Sequence, residues 1–245
     1  MRILCKTQKT PEWFDARVGK VTASCIAAAS KKLQRASGEK KKGDWHGDHD
    51  NYVVEIAWEL VTRIPAEHYV SKAMDIGNQY EREARTEYML ATEHDVDETG
   101  FILHPTLDYF GCSPDGLVYD GKEWGGLEIK VPLLKTHQGY ILAGEVPPEY
   151  QPQMQAGMLC CGMPWWDFCS YAPPDIYPDF PPQFRLFRKR LFAAPETWPD
   201  MEEAATATME EAIALAKKIG AYDPKSNVVS IPATQTTAAT SWPTF

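Results

Sequence analysis

The sequence predicts one mixed α/β domain in which helices pack against a central mixed β-sheet. Three observations predict this fold class. Helical patterns occupy the first third of the chain, short β-like runs fill residues 100–131, and a helix, two strands and a last helix follow. At 245 residues, 44% of them hydrophobic, the chain is long enough for one large core. We therefore expect a single domain over residues 1–221 and a flexible C-terminal tail over residues 222–245, which are rich in Thr, Ala and Pro.

The first third of the chain contains three predicted helices. Thr22 or Ser24 can cap a short helix over residues 23–33, which a loop rich in Lys and Gly follows. Residues 51–63 form an amphipathic helix, because their apolar side chains recur at the spacing i, i+3, i+4 and i+7. A third helix is predicted over residues 75–94, with Glu81 beside its apolar face.

The middle of the chain changes to the two-residue period of strands. The β-like runs GFILH, YFGCS, GLVY and GLEIKV are separated by turn signals. The dipeptide Asp120-Gly121 predicts a tight hairpin turn before the last of these runs. After them, residues 147–162 predict a helix with Pro152 in its first turn and Gly162 just past its end.

Two more strands and a helix complete the predicted domain. The aromatic-rich residues 165–172 and the basic residues 184–192 are both typical of strands. The last helix is predicted to begin with Asp200 as its N-cap, with Glu203 at the capping-box position, and to end at Gly220.

The charge and cysteine content limit the functional classes. A net charge of −9 argues against a surface covered with nucleic-acid contacts, but allows a confined basic groove. Two basic clusters, Lys31–Lys42 and Arg185–Arg190, could line such a groove or could be ordinary solvated surface. The six cysteines show no zinc-like spacing, so we expect reduced thiols and a cytosolic protein. We expect no signal peptide and no membrane span.

A turn and a strand in the middle of the chain carry two acids and a lysine. Asp115 lies in a Ser-Pro-Asp-Gly turn, and Glu128 and Lys130 follow in the run GLEIKV. Because side chains alternate along a strand, Leu127 and Ile129 face the core, whereas Glu128 and Lys130 share the opposite face. The intervening hairpin can bring Asp115 beside Glu128. Two converging carboxylates suit Mg²⁺ or Mn²⁺, and the lysine can orient a water for attack on a phosphodiester.

The Glu-x-Lys pattern alone is more typical of an ion pair on a solvent-facing strand, and the turn at Asp115 and the apolar flanks make the two interpretations about equal. Three further features favour the catalytic interpretation. Glu81 is a helical acid that could complete a second metal site, although it could also be a surface charge. Gln153 lies at the start of a helix, although its amide could be an ordinary polar side chain of that helix. Arg17 and Ser24 precede a predicted helix N-terminus, which is a natural phosphate site or an ordinary capped helix.

Taken in chain order, the sequence segments that contain these residues resemble the lambda-exonuclease-like branch of the restriction-endonuclease-like, PD-(D/E)xK nucleases. Four blocks carry the resemblance, over about residues 11–165: PEWFDARVGKVTAS, IGNQYEREAR, CSPDG with GLEIKVP, and YQPQMQAGM. The long Lys-rich loop and the polar tail depart from the family pattern. The resemblance implies a PD-(D/E)xK core, and makes residues 1–221 a single exonuclease domain.

The resemblance also implies roles for individual residues. Asp115 and Glu128 would be the paired metal ligands, joined by the backbone carbonyl of Ile129. Lys130 would be the catalytic lysine, and Glu81 the helical acid near the second of two metal ions.

Four more positions match the family's pattern. Gln153 would lie near the reacting phosphate or its water. Arg17, Ser24 and Ser113 fall on positions that grip the terminal 5′-phosphate in this family. The ions would be Mg²⁺ or Mn²⁺, with two in each site.

For the whole protein, the resemblance implies a processive 5′-to-3′ exonuclease acting on linear double-stranded DNA. The family's enzymes release mononucleotides and leave 3′ single-stranded overhangs. They form ring-shaped homotrimers around the DNA and work beside a single-strand annealing protein in phage recombination. A phage or prophage protein in the cytoplasm of a bacterial host is therefore expected, with no membrane partner.

Other interpretations stay open from the sequence. The chain could be an endonuclease of the same superfamily, or an iron–sulfur member using Cys160, Cys161 and Cys169. It could also be a non-catalytic DNA-binding or assembly module that kept the sheet. A weaker idea is a calcium-stabilised loop around Asp108, Asp115 and Asp120, although its spacing fits no EF-hand.

Overall fold

A computed structural model describes residues 1–66 and 72–220 of the chain. The predicted tail, residues 222–245, lies outside the described residues. The helices are α1 Pro11–Arg17, α2 Ile26–Ala29, α3 Gly47–Thr62, α4 Lys72–Thr92, α5 Leu134–Ala143, α6 Gln151–Cys161 and α7 Trp198–Ile219. The strands are β1 Arg2–Ile3, β2 Val21–Thr22, β3 Val96–Asp97, β4 Ile102–Leu103, β5 Phe110–Cys112, β6 Gly116–Tyr119, β7 Trp124–Lys130, β8 Trp165–Tyr171 and β9 Leu186–Phe192. In these two ranges, no helix has the length and apolar character needed to cross a membrane.

The strands form two sheets that are flanked by helices, so the predicted mixed α/β class is confirmed. The larger sheet has five strands in the order β3-β6-β7-β8-β9, with β7 and β8 parallel and the other pairs antiparallel. A smaller sheet has the order β1-β4-β5-β2. We expected one central sheet. The runs GFILH and YFGCS instead pair with short N-terminal strands, and the chain leaves the smaller sheet at Pro114, which has no N–H to donate.

The parallel pair β7–β8 requires a crossover connection, which α5 and α6 provide. The helix α6 agrees with the prediction, including Pro152 in its first turn and Gly162 beyond its end at φ 68°. The helix α5 was not predicted. Its buried residues are His137 and Tyr140, which are too few to produce a visible apolar period.

Two predicted helix starts need correction. The last helix begins at Trp198 after the N-cap Thr197, so Asp200 lies in its first turn and is not the cap, and Glu203 is not at the capping-box position. The helix starts early because Pro199 is tolerated in a first turn. The predicted helix over residues 23–33 is also shorter, since a 3₁₀ turn precedes α2 and α2 ends at Ala29.

The five-stranded sheet separates two apolar clusters. One cluster packs one face of the sheet against α3, α6 and α7. The other packs the opposite face against α4 and contains Leu127, Ile129 and Val131. Because side chains alternate along β7, Glu128 and Lys130 project on the other side. The predicted division of this strand into an apolar and a polar face is therefore confirmed.

Two adjacent glycines in β7 make room for tryptophans on β8. Gly126 pairs in register with Trp166, which is fully buried. A Cβ on Gly126 would lie 2.3 Å from the Trp166 ring.

We expect Gly126→Ala to lower the free energy of unfolding by about 1–3 kcal/mol, because the rigid indole cannot yield without disturbing the core. The matched control is Gly139→Ala on an exposed position of α5, where nothing lies within 4 Å of an added Cβ. The control should be neutral or stabilise the protein by up to about 1 kcal/mol. Urea unfolding of both variants measures the difference, and equal stability of the two would contradict this account of the glycine.

Candidate active site

The turn between the two sheets places Asp115 against β7. The Asp115 N–H donates to the Leu127 carbonyl at 3.1 Å, and the Ile129 N–H donates to the Asp115 carboxylate at 2.7 Å. The neighbouring pair in the β6–β7 ladder, Gly116 and Leu127, sets this register. The hairpin thus returns Asp115 to the strand that carries Glu128, as the sequence predicted.

Glu128 lies at the centre of a polar cluster on the inner face of β7. It is only 3% exposed, and both of its carboxylate oxygens accept from the Gln153 side-chain amide at 2.8 Å. The Lys130 ammonium donates to the same carboxylate. The Lys130 nitrogen also lies 5.1 Å from the centre of the Tyr150 ring. Three predicted residues from β7 and α6 therefore meet at one point.

Burial and mutual interaction shift the pKa values of Asp115 and Lys130 in this cluster. Burial, followed by the charges of Glu128 and Glu81, raises the pKa of Asp115 to about 7, although Lys130 and the Ile129 N–H act in the opposite direction. Burial alone would lower the pKa of Lys130, but the carboxylates of Glu128 and Asp115 outweigh it and raise that pKa above its usual value. Lys130 is therefore an ammonium at neutral pH, suited to hold an anion or a water and not to act as a base.

Glu81 lies close to this cluster but is bonded elsewhere. One of its oxygens accepts from Arg85 at 2.8 Å and the other from Lys9 at 2.9 Å. Its charge still reaches Asp115, because it contributes to the raised pKa of that group.

The donor set fits a hard divalent cation through two carboxylates. Asp115 and Glu128 have oxygen ligands of the type that Mg²⁺ and Mn²⁺ prefer, and after burial the charge of Glu128 is the next cause that raises the pKa of Asp115. Across residues 1–66 and 72–220, however, no three His, Cys, Asp or Glu side chains converge as a ready-made metal site. Glu81, whose charge acts on Asp115, has one cationic donor on each of its two oxygens.

The residues predicted to hold a phosphate lie in the same cleft. Arg17, Ser24 and Ser113 line a cleft of about 150 Å³ together with Glu128 and Gln153.

Ser113 is oriented by two donors in this cleft. Its hydroxyl accepts from both the Arg17 guanidinium and the Trp13 indole at 2.9 Å. Because it accepts twice, its own O–H is free to donate to an anion. Ser24 is exposed on the 3₁₀ turn, 3.0 Å from the Thr22 hydroxyl. The predicted helix N-terminus is absent as such, since this turn leads only into the four-residue α2.

Comparison with known proteins identifies the family. Residues 12–164 match the YqaJ-like viral recombinase domain, a range that contains all nine predicted site residues. The chain belongs to this family.

Solved exonucleases share the fold of this recombinase-family chain. It is 34% identical to the alkaline exonuclease LHK-Exo from Laribacter hongkongensis, with a TM-score of 0.72, over 86% of this chain and 96% of that one. LHK-Exo in complex with dAMP matches at 35% identity and the same TM-score, over 85% and 95% of the two chains. A phage-related exonuclease from Haemophilus somnus 129PT, at 16% identity and a TM-score of 0.61 over 81% and 96%, shows the fold alone. No curated protein sequence matches significantly. Family and fold together support a nuclease role.

Four residues that support this recombinase-family site were not predicted from the sequence. Arg85 and Lys9 bind Glu81, and Trp13 orients Ser113. Gln8 donates to the Pro114 carbonyl at 2.6 Å and so supports the Asp115 turn. Only Arg85 had a local signal, its i,i+4 spacing from Glu81.

The two basic clusters are partly neutralised within the fold. Lys31 and Lys40 pair with Asp48 and Asp50 on α3, and the predicted loop is organised by short bridges. Arg190 pairs with Asp167 and Asp120, so it supports the sheet. The calcium-loop idea is wrong, because no three acidic side chains converge as a metal site within residues 1–66 and 72–220, and those of Asp108 and Asp120 bind Arg2 and Arg190 instead.

Proposed function

We propose that this chain is a metal-dependent 5′-to-3′ exonuclease that degrades one strand of linear double-stranded DNA. The observation that carries the proposal is the shared cleft. It joins the Glu128–Gln153 cluster to the corner where Arg17 and Ser113 offer donors to an anion. A bound 5′-phosphate would therefore set the distance from the strand end to the bond that is cut.

Each residue has a proposed task in this reaction. Asp115 and Glu128, with the carbonyl of Ile129, would hold Mg²⁺ or Mn²⁺. When bound, two such ions lower the pKa of a water and stabilise the charge on the scissile phosphate. Lys130 positions the attacking water through its ammonium charge, and Gln153 keeps the Glu128 carboxylate oriented.

The remaining features of the proposal rest on the family. The complex of LHK-Exo with dAMP, a 5′-mononucleotide, supports release of mononucleotides by this chain as well. Processive digestion, 3′ overhangs, a ring-shaped homotrimer and an annealing protein as partner extend the viral recombinase assignment. The same assignment supports a phage or prophage origin and action in the host cytoplasm.

The decisive test compares linear and covalently closed circular duplex DNA, each with Mg²⁺ and with EDTA. We expect nucleotide release from the linear DNA only, and only with Mg²⁺. Cutting of the circle would favour an endonuclease of the same superfamily. Binding of the linear DNA without any release of nucleotides would favour a non-catalytic module.

The 5′-phosphate assignment predicts a selective defect. Arg17→Ala should slow digestion of 5′-phosphorylated ends by about 10- to 100-fold, because a hydrogen bond to a charged group contributes about 1.5–3 kcal/mol. Digestion of 5′-hydroxyl ends should change little, which makes that substrate the internal control. Initial rates on the two matched duplexes measure the effect. An equal loss on both would remove Arg17 from the phosphate site.

A further inference from the structure

Arg85 lies behind the catalytic turn, on α4. It is only 9% exposed, and its Nε donates to the backbone carbonyl of Asp115 at 3.1 Å. The N–H and the carboxylate of Asp115 are both bonded to β7. The bond from Arg85 therefore connects the turn to the helix that carries Glu81.

The same guanidinium holds Glu81. One terminal nitrogen donates to Glu81 at 2.8 Å, and the other lies 3.0 Å from Glu98. A guanidinium is planar and its donors have fixed relative positions. One rigid group thus contacts both the Asp115 turn and Glu81, and sets the distance between them.

The two cations on Glu81 differ in their surroundings. Arg85 is buried, whereas the Lys9 side chain is 50% exposed, on a backbone with the unusual φ of 61°. An exposed ammonium is easily exchanged, because solvent screens the pair. The Glu81 oxygen that faces Lys9 is therefore the one that a divalent cation could reach.

Building on the proposed function, we propose that Arg85 is a positioning residue that orients Glu81 toward Asp115 for divalent-cation binding. Lys9 is then the exchangeable partner of the Glu81 oxygen that Arg85 does not bind. Arg85 would not touch the DNA or the ions. It acts through Glu81 and through the Asp115 carbonyl.

The test is Mn²⁺ titration of the full-length protein without DNA, followed by electron paramagnetic resonance. Arg85→Lys keeps the charge but loses the fixed donor geometry of the guanidinium. It should weaken Mn²⁺ binding about 10-fold or more, as loss of a group that orients a metal ligand does. The matched control is Arg82→Lys, the same substitution at an exposed position of the same helix. The control should bind Mn²⁺ like the parent.

Two further variants distinguish positioning from a general structural role. In a Glu81→Gln background, Arg85→Lys should weaken Mn²⁺ binding much less than it does in the parent, since the ligand through which it acts is gone. Lys9→Met should strengthen binding, because it removes a competing cation, and its exposed position makes a folding defect unexpected.

Parental Mn²⁺ affinity in Arg85→Lys, or weakened binding in Lys9→Met, would overturn the proposal. Arg85→Lys should also lower kcat on linear DNA and leave KM for DNA nearly unchanged. If the parent binds Mn²⁺ and digests DNA while Arg85→Lys behaves identically, only this inference fails. If the parent shows no metal-dependent digestion, the proposed function itself fails.

Discussion

Replacing Lys130 with methionine is expected to slow hydrolysis of linear duplex DNA by about 10²- to 10³-fold. Methionine keeps the apolar stem but removes the ammonium beside Glu128 and Asp115. The pKa of Lys130 is raised, so the parent carries this charge at every working pH. Loss of one fixed positive donor at a developing anion costs about 2.7–4 kcal/mol of transition-state stabilisation.

Release of acid-soluble nucleotides from end-labelled DNA measures this effect. Lys122→Met is a suitable control, because Lys122 is exposed in the β6–β7 hairpin. Circular dichroism should show the same secondary structure in both variants. A purified Lys130→Met protein that digests DNA at the parental rate would refute the role of this lysine.

Asp115→Asn should have two effects of opposite sign. It removes a proposed metal ligand, and we expect DNA hydrolysis to fall about 10³-fold or more. It also removes a carboxylate whose pKa is raised to about 7 by burial and by its acidic neighbours. Without metal, we therefore expect the variant to be more stable than the parent at pH 8.

The stability of the parent depends on pH because the pKa of Asp115 is higher in the folded state than in the unfolded chain. An unfolded aspartate has a pKa of about 3.9, so between about pH 4 and pH 7 the folded parent holds a proton that the unfolded chain has lost. The parent therefore loses stability as the pH rises through that interval. Asparagine resembles the protonated form at every pH. The gain in the free energy of unfolding of Asp115→Asn over the parent should be absent near pH 4 and reach about 1–2 kcal/mol at pH 8, after allowance for solvent screening.

Thermal unfolding in EDTA at pH 4, 6 and 8 measures this stability difference. A gain of 1–2 kcal/mol corresponds to roughly 2–8 °C in Tm for a domain of this size. Adding Mg²⁺ should raise the Tm of the parent and leave that of the variant nearly unchanged, because a ligand stabilises only the state that binds it.

Asp120→Asn provides the control of opposite sign for this experiment. The bond from Arg190 lowers the pKa of Asp120 to about 2, so its charge stabilises the folded state above about pH 4. This variant should be less stable than the parent at pH 8. A lower Tm for Asp115→Asn at pH 8 in EDTA would contradict the electrostatic account of the site.

The centre of the candidate site was predictable because its signals are local. The alternation along β7 separates Glu128 and Lys130 from the apolar Leu127 and Ile129, and a single hairpin returns Asp115. The roles predicted for Arg17, Ser24, Ser113, Glu81 and Gln153 came from the resemblance to the family. The structure places Arg17, Ser24, Ser113 and Gln153 around one cleft with Glu128, and places Glu81 where its charge acts on Asp115, although their roles remain predictions.

Other parts of the molecule had no local signal. The helix α5 buries too few apolar side chains, and the smaller sheet is built from strands of two or three residues. The start of α7 was misplaced, because an acid that resembled an N-cap follows a proline already inside the helix. Each of these errors concerns a short or weakly periodic element whose position depends on its neighbours.

The amino-acid sequence by itself determined that two carboxylates and a lysine meet beside a strand, because the period of two and one tight turn act over a few residues. Only the tertiary structure decided which cations hold Glu81 and what supports the Asp115 turn. Lys9 is 72 residues from Glu81, and Gln8 is 106 residues from Pro114. Contacts over such separations depend on how the sheets and helices pack, which the spacing of residues along the chain does not specify.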